Sequence, residues 1–288
     1  MSVLRWSIAL AFIVSAGQNA FAQTVQSPEP AITLVREVVF NELHDHEHHG
    51  YWRYRIDRHT ANGTATEEQV ETAEGPVSWV IAGNGQPLNG TARGVELARL
   101  EQLTTSPREQ ARHLHDYNKD EDRIGRIVRM LPDAFLYDFD GEENGCTRLR
   151  FHPNPKFPTH SIEARVFHSM RGVLLVDSRY KRMAGLEGHI DQNVDFGFGI
   201  LGRIYKGGWF KLERVRVSPT DWKTDKLEMH MNIRALLVTS FARETSETRG
   251  GFEPVPAGMS VAQGVALLKG SETASSPRAV QTALETNR

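Results

Sequence analysis

Between His44 and His49 the chain reads H-D-H-E-H-H, its strongest candidate for metal-ligand chemistry. On a helix, His44 and His48 would share a face, because residues four apart lie one above the other. His46 and His49 add two more imidazoles, so the group suggests a metal-dependent hydrolase as one reading. The order differs from that of a zinc-protease helix, where glutamate directly follows the first of two histidines four apart. Here Asp45 takes that place, and histidine is also favoured at a helix C-terminus for its interaction with the last carbonyls.

A second stretch, Val194 to Gly208, contains two nucleotide-binding spellings. Asp195-Phe196-Gly197 matches the kinase D-F-G, and Gly197, Gly199 and Gly202 match G-x-G-x-x-G. The dinucleotide mechanism needs a strand before the glycines and a helix after them, whose N-terminus holds the pyrophosphate. The residues that follow alternate like a strand, and Asp221, at about the spacing of the ribose-binding acid, has no βαβ unit around it. The kinase reading lacks the glycine-rich loop, the strand lysine and the catalytic loop upstream. Glycines in a sheet permit bulges, bends and close backbone approach, and that is the reading adopted here, with no nucleotide and no cofactor.

Other reactive residue types lack partners in sequence. Cys146 is the only cysteine and cannot form an internal disulfide. No G-x-S-x-G elbow occurs, and the single histidines at 152, 160, 168, 189 and 230 assemble into no recognisable triad. Arg53, Arg55, Arg148, Arg150, Lys211, Arg214 and Arg216 fall on polar faces of expected strands. Such faces are ordinarily solvated, and would meet an anionic head or carboxylate only if they lined one concavity.

The elements that must position these residues follow from periodicity. Ile32, Val35, Val39 and Leu43 predict a helix ending in the histidine run, with Gly50 as its stop. "YWRYRIDRH" alternates, which predicts a half-buried strand, and Asn62-Gly63 and Asn84-Gly85 predict hairpin turns. Val95 to Leu103 predict one helix. Ser106-Pro107 opens a second, charged one that carries Ile124, Ile127, Val128 and Leu131 as its apolar stripe, with Pro132 as its stop. Ile162, Val166 and Met170 predict a short helix stopped by Gly172, and the remainder reads as a strand meander closed by a helix near Ser260. Strands in consecutive runs, with helices inserted in blocks, give an α+β class rather than alternating βαβ units. The expected architecture is a strongly curved, unclosed antiparallel β-sheet, a half-barrel-like meander, covered by the inserted helices.

Residues 1–22 carry Arg5, an apolar run and Ala20-Phe21-Ala22, the pattern of a secretory signal peptide. The expected organisation is this signal, a linker over 23–30, one domain over 31–270 and a disordered tail over 271–288. Export to the periplasm or the extracellular space follows, with no transmembrane anchor after cleavage. The formal net charge of −2 argues against nucleic acid as a partner.

Several segments resemble a group of exported bacterial proteins of acidobacterial type: "VREVVFNE" at 35–42, "FHPNPKF" at 151–157, "MRGVLLVD" at 170–177, "VDFGFGILGRIYKGGWF" at 194–210 and "FEPVP" at 252–256. The order of helix, meander, inserted helices and returning meander is similar to the outer-membrane lipoprotein carrier superfamily. That resemblance implies a curved sheet whose concave apolar cavity holds acyl chains, and so a non-enzymatic protein with a lipid or lipidated protein as partner. Trp52, Tyr54, Phe196, Phe198, Ile200 and Trp209 are the candidate cavity residues, each equally suited to plain core. A third reading is an envelope scaffold that binds a partner through a sheet edge.

Overall fold

The structure is a computed structural model and describes residues 30–45, 49–196, 202–235 and 239–275. It opens with helix α1 (Ala31–Leu43), then strands β1 (Tyr51–Thr60), β2 (Gly63–Val70), β3 (Val77–Gly83) and the two-residue β4 (Gln86–Pro87). Helices α2 (Gly90–Thr105) and α3 (Pro107–Ala134) are inserted next, and α3 runs directly into β5 (Phe135–Glu143) and β6 (Cys146–Pro153). A short helix α4 (Ile162–Phe167) precedes β7 (Met170–Asp177), β8 (Met183–Ile190), β9 (Val194–Phe196) and β10 (Gly202–Ile204). Three long strands, β11 (Trp209–Arg216), β12 (Trp222–Ala235) and β13 (Thr239–Val255), lead to helix α5 (Val261–Ser275).

Among the described residues all thirteen strands form one antiparallel sheet, eleven of them in the order β4-β3-β2-β1-β13-β12-β11-β8-β7-β6-β5, with β10 pairing β12 and β9 pairing β10 off that path. The sheet is curved and open, with β4 and β5 at its two edges, as the α+β reading requires. The first strand pairs with the last, Tyr51 opposite Val255 and Thr60 opposite Thr245, so the two meanders meet at a long seam in mid-sheet.

Local chemistry accounts for the hairpins. Asn84 and Gly85 adopt φ of 50° and 73°, as do Asn144 and Gly145 at 51° and 79°. Both central residues of a type I′ turn need positive φ, which asparagine and glycine supply at least cost. Ser106 Oγ accepts from the Glu109 amide at the start of α3, with Pro107 at the first helical position.

The glycine stretch sits where two short pieces share one long neighbour. β10 pairs with Ile233–Ala235 of β12, while β11 pairs with Trp222–His230 of the same strand. Between them the chain turns at Tyr205–Gly208, tied by Gly207 N to Ile190 O at 2.8 Å and Tyr205 N to Asn232 O at 2.9 Å. Gly202 leads into a strand, so the strand–turn–helix unit of a dinucleotide site is not formed here. At Gly208 a Cβ would stand 2.7 Å from Met231 Sδ, so close strand approach accounts for this glycine.

Three helix ends differ from the expected ones. Helix α1 ends at Leu43, well before Gly50; its C-cap His44 closes the last i→i−4 bond to the Phe40 carbonyl (3.1 Å), and the His44 ring Nδ1 lies 2.8 Å from the same oxygen. Helix α3 passes through Pro132 and ends at Ala134. Its last carbonyls find other donors: Tyr137 Oη donates to Leu131 O, Asn154 Nδ2 to Asp133 O and Asn154 N to Ala134 O, at 2.8, 2.8 and 2.9 Å. Gly172 lies inside β7 rather than capping α4, and Met170 is buried from the strand. The four-residue spacing of 162, 166 and 170 thus spans a helix and the strand after it.

Burial falls on both faces of the sheet. Val70, Val77 and Trp79 pack with Leu100 of α2 and with Val261, Val265 and Leu268 of α5. Val70 pairs opposite Arg53, so strand alternation places this layer on the face away from Tyr54. The larger cluster lies on the other face, where Val35 and Val38 of α1 and Leu131 of α3 meet Phe135, Leu149, Phe151, Leu174 and Ile190.

Candidate functional site

Helix α3 covers the inner face of the sheet without closing onto it. Between its stripe of Ile124, Ile127, Val128 and Leu131 and the sheet lies a cavity of about 680 Å³. Its apolar end is walled by Phe135, Tyr137, Phe151, Phe167, Met170 and Leu174, with Leu186, Phe210 and Leu212 along the floor. Alternation along β11 turns Phe210, Leu212 and Arg214 to this face, and a bulge between Glu213 and Arg214 leaves Arg214 opposite Thr224. Tyr137 is buried in the wall with its hydroxyl spent on Leu131 O, and burial pushes its phenol well above the ordinary range.

The other end of the cavity is polar and lies beneath the end of α1. Glu42 accepts from Arg182 Nε (3.0 Å) and Nη2 (3.2 Å), from Arg214 Nη1 (2.6 Å) and from the Met183 amide (3.0 Å). Burial alone would raise the Glu42 pKa, but the two guanidinium groups outweigh it and hold the carboxyl below its usual range. Asp45 pairs with the second face of Arg182, at 2.5 Å. Lys223 Nζ stands 2.8 Å from both oxygens of Glu71, which also accepts from the Trp52 amide. Arg249 Nη2 donates to Glu247 at 2.9 Å, and Glu247 in turn accepts from Arg58. Tyr54 accepts from Gln69 Nε2, and burial followed by the nearby Glu71 charge pushes its phenol well above the ordinary range. An adjoining, more polar cavity of about 570 Å³ shares Glu42, Tyr54, Glu71, Glu121, Ile124, Val128 and Lys223 with the first and adds His49, Tyr51, Tyr117, Asp122 and Arg129.

Of the residues singled out in sequence, the structure brings Tyr54 to the cavity wall. Trp52 shares the Tyr54 face but is packed with Tyr54, Ile56 and Phe252, and its Nε1 donates to Asp221 at 3.2 Å. Asp221 also accepts from the Gly50 amide and from Thr220, so this tryptophan fixes the entry into β1 rather than lining the cavity. Phe196 packs against the main core at β9, outside the cavity wall. Trp209 pairs with His189 on one side and His230 on the other and, by alternation with Phe210, lies on the opposite face of the sheet. Phe198 and Ile200 lie outside the described residues, as do His46 and His48. His44 and His49 each direct Nδ1 to a backbone carbonyl four residues earlier, and among the described residues no group of three or more potential ligands could hold a metal ion.

Sequence reading missed the inward-facing ions. Arg214 falls on an expected polar strand face and Arg58 carries no expectation, yet each continues an apolar row, Phe210-Leu212-Arg214 and Trp52-Tyr54-Ile56-Arg58. A charge in register with buried neighbours was the available signal. Arg53, Arg148 and Arg150 form ion pairs with Glu68, Asp140 and Asp140, as ordinary outer faces do.

No protein-family model matches the chain, and no curated protein matches it. Among solved structures it is similar to a DUF1329 family protein from Desulfovibrio piger, at 11% identity and a TM-score of 0.31, over 81% of this chain and 96% of that one.

Proposed function

We propose that this chain is a non-enzymatic, exported binder of a lipid, an acyl chain or a lipidated partner, held between α3 and the inner face of the sheet. The observation that carries the reading is the cavity of about 680 Å³, walled at one end by aromatic and aliphatic side chains and at the other by ion pairs. That volume falls within the roughly 300–1,000 Å³ of small-molecule sites, and apolar walls with a few placed polar groups are their usual chemistry. A gap of this size leaves its apolar lining side chains without packing partners across it, which favours a resident ligand. The open curved sheet with inserted helices agrees with the lipoprotein-carrier likeness, and the N-terminal pattern supports export to the periplasm or beyond. No helix among the described residues is long and apolar enough to cross a membrane.

Native mass spectrometry of the full chain, purified gently from a bacterial host, tests the reading. A mass excess matching a lipid, lost on organic extraction and diminished in Leu174→Trp, is expected. An apo mass throughout, with no uptake from added micelles, would sink it.

A further inference from the structure

The charges around the cavity pair off in a way that limits the head of its ligand. Three cations stand on the wall of the large cavity: Lys223, Arg214 and Arg249. Each is already matched at short range, Lys223 by Glu71 (2.8 Å), Arg214 by Glu42 (2.6 Å) and Arg249 by Glu247 (2.9 Å). No positive charge on that wall is left for a carboxylate or phosphate. The surplus is of the other sign, because Glu121 lines both cavities without an ion pair among the described residues. The smaller cavity is lined by one further cation, Arg129, and by both Glu121 and Asp122.

A second observation bears on the same end. Arg249 is the one residue lining the large cavity, among the described residues, that carries a buried side-chain nitrogen, Nε, with no hydrogen-bond partner. Its guanidinium charge is already answered through Nη2, so this N–H calls for a neutral oxygen acceptor such as an ester carbonyl, amide carbonyl or hydroxyl. An anionic head would have to take a cation from its carboxylate and leave that carboxylate buried and unpaired, which is the costly outcome for a desolvated pair.

Resting on the lipid-binding reading above, we infer that the cavity selects amphiphiles whose head is uncharged or zwitterionic and excludes those with a net negative head. A free fatty acid or an acidic phospholipid is then a poor ligand, whereas an acylglycerol or an aminophospholipid of the same chain is a good one.

The test uses the full chain, delipidated, with a neutral fluorescent fatty ester as probe. Four competitors of one chain length are compared below their micellar limits at pH 8: monopalmitoylglycerol, palmitoyl-lysophosphatidylethanolamine, palmitate and palmitoyl-lysophosphatidylglycerol. The first two are expected to displace the probe at concentrations at least tenfold lower than the last two. In Glu71→Gln, which frees Lys223 yet keeps an acceptor for the Trp52 amide, palmitate should gain about tenfold relative to monopalmitoylglycerol. Glu247→Gln, which frees Arg249, is the second variant and serves alone if the first does not fold. Equal or tighter binding of the anionic pair by the wild-type chain overturns the head selectivity and leaves the cavity reading standing. Unchanged selectivity in a folded variant also overturns it. If neither the probe nor any competitor binds, the cavity reading fails and the selectivity with it.

Discussion

Replacing Glu42 by glutamine keeps the shape of the side chain and removes the charge that two guanidinium groups share. The side chains of Glu42, Arg182 and Arg214 are only 11%, 10% and 13% exposed, so solvent screening does little for them. Glutamine can still accept through one oxygen, but its amide nitrogen then faces an arginine donor. Arg214 loses its only carboxylate among the described residues, while Arg182 keeps Asp45 at 2.5 Å. Breaking a buried pair from one side costs roughly 3–5 kcal/mol, and the retained Asp45 places the expected loss near the lower figure, about 3 kcal/mol. For a chain of this size that corresponds to a fall in Tm of roughly 6–12 °C.

Urea unfolding followed by circular dichroism, with an unchanged m-value, measures the loss directly. Adding Arg214→Met should recover part of it, since the stranded cation is then gone, giving a coupling of about 1.5 kcal/mol or more. The pH dependence has a definite sign. The folded pKa of Glu42 is depressed, so its contribution is complete above the unfolded carboxylate value of roughly 4.3 and is lost as pH falls through the lower folded value. The gap between wild type and Glu42→Gln should therefore close below about pH 4. A loss under about 1 kcal/mol at pH 7, with a gap that does not vary with pH, would refute the reasoning and show the triad to behave like a solvated surface pair.

Gly172→Ala should destabilise by roughly 3 kcal/mol, because a Cβ there would run into the Glu187 carbonyl and stand 2.7 Å from the Phe151 ring; chemical denaturation checks it. Phe210→Ala should weaken retention of a fluorescent acyl probe several-fold, whereas Trp209→Ala, one residue away on the other face, should leave retention within twofold. The His44–His49 run should hold no stoichiometric zinc after dialysis, as measured by atomic absorption; one equivalent that disappears in His44→Ala/His48→Ala would restore the metal reading.

The local chemistry of this chain was legible without coordinates. Alternation in "YWRYRIDRH", the Asn-Gly turns, the Ser106-Pro107 helix start and the α3 stripe are short-range patterns, and short-range geometry decides them. The α+β class and the open meander followed from the order of those elements. Two of the three differing helix ends were settled by distant groups: Asn154 and Tyr137 satisfy the last carbonyls of α3, and the Glu187 carbonyl and Phe151 ring occupy the space that makes residue 172 a glycine, whereas α1 stops at its own C-cap, His44.

Of the six candidate cavity residues, Tyr54 alone is found on the cavity wall among the described residues. Which aromatic residues face the cavity depends on register, and a shift of one residue exchanges the two faces, which is why Phe210 lines the wall and Trp209 does not. The ion triad joins residues 42, 182 and 214, and the Lys223–Glu71 pair spans 152 positions. No local pattern encodes such partners, because they meet only once α1 packs on the sheet and β8, β11 and β12 take their places in it. Sequence by itself determined the strands, the turns and the amphipathic helix. The tertiary structure decided where α3 stands off the sheet, and thereby that this protein keeps a cavity with an apolar end and a charge-balanced one.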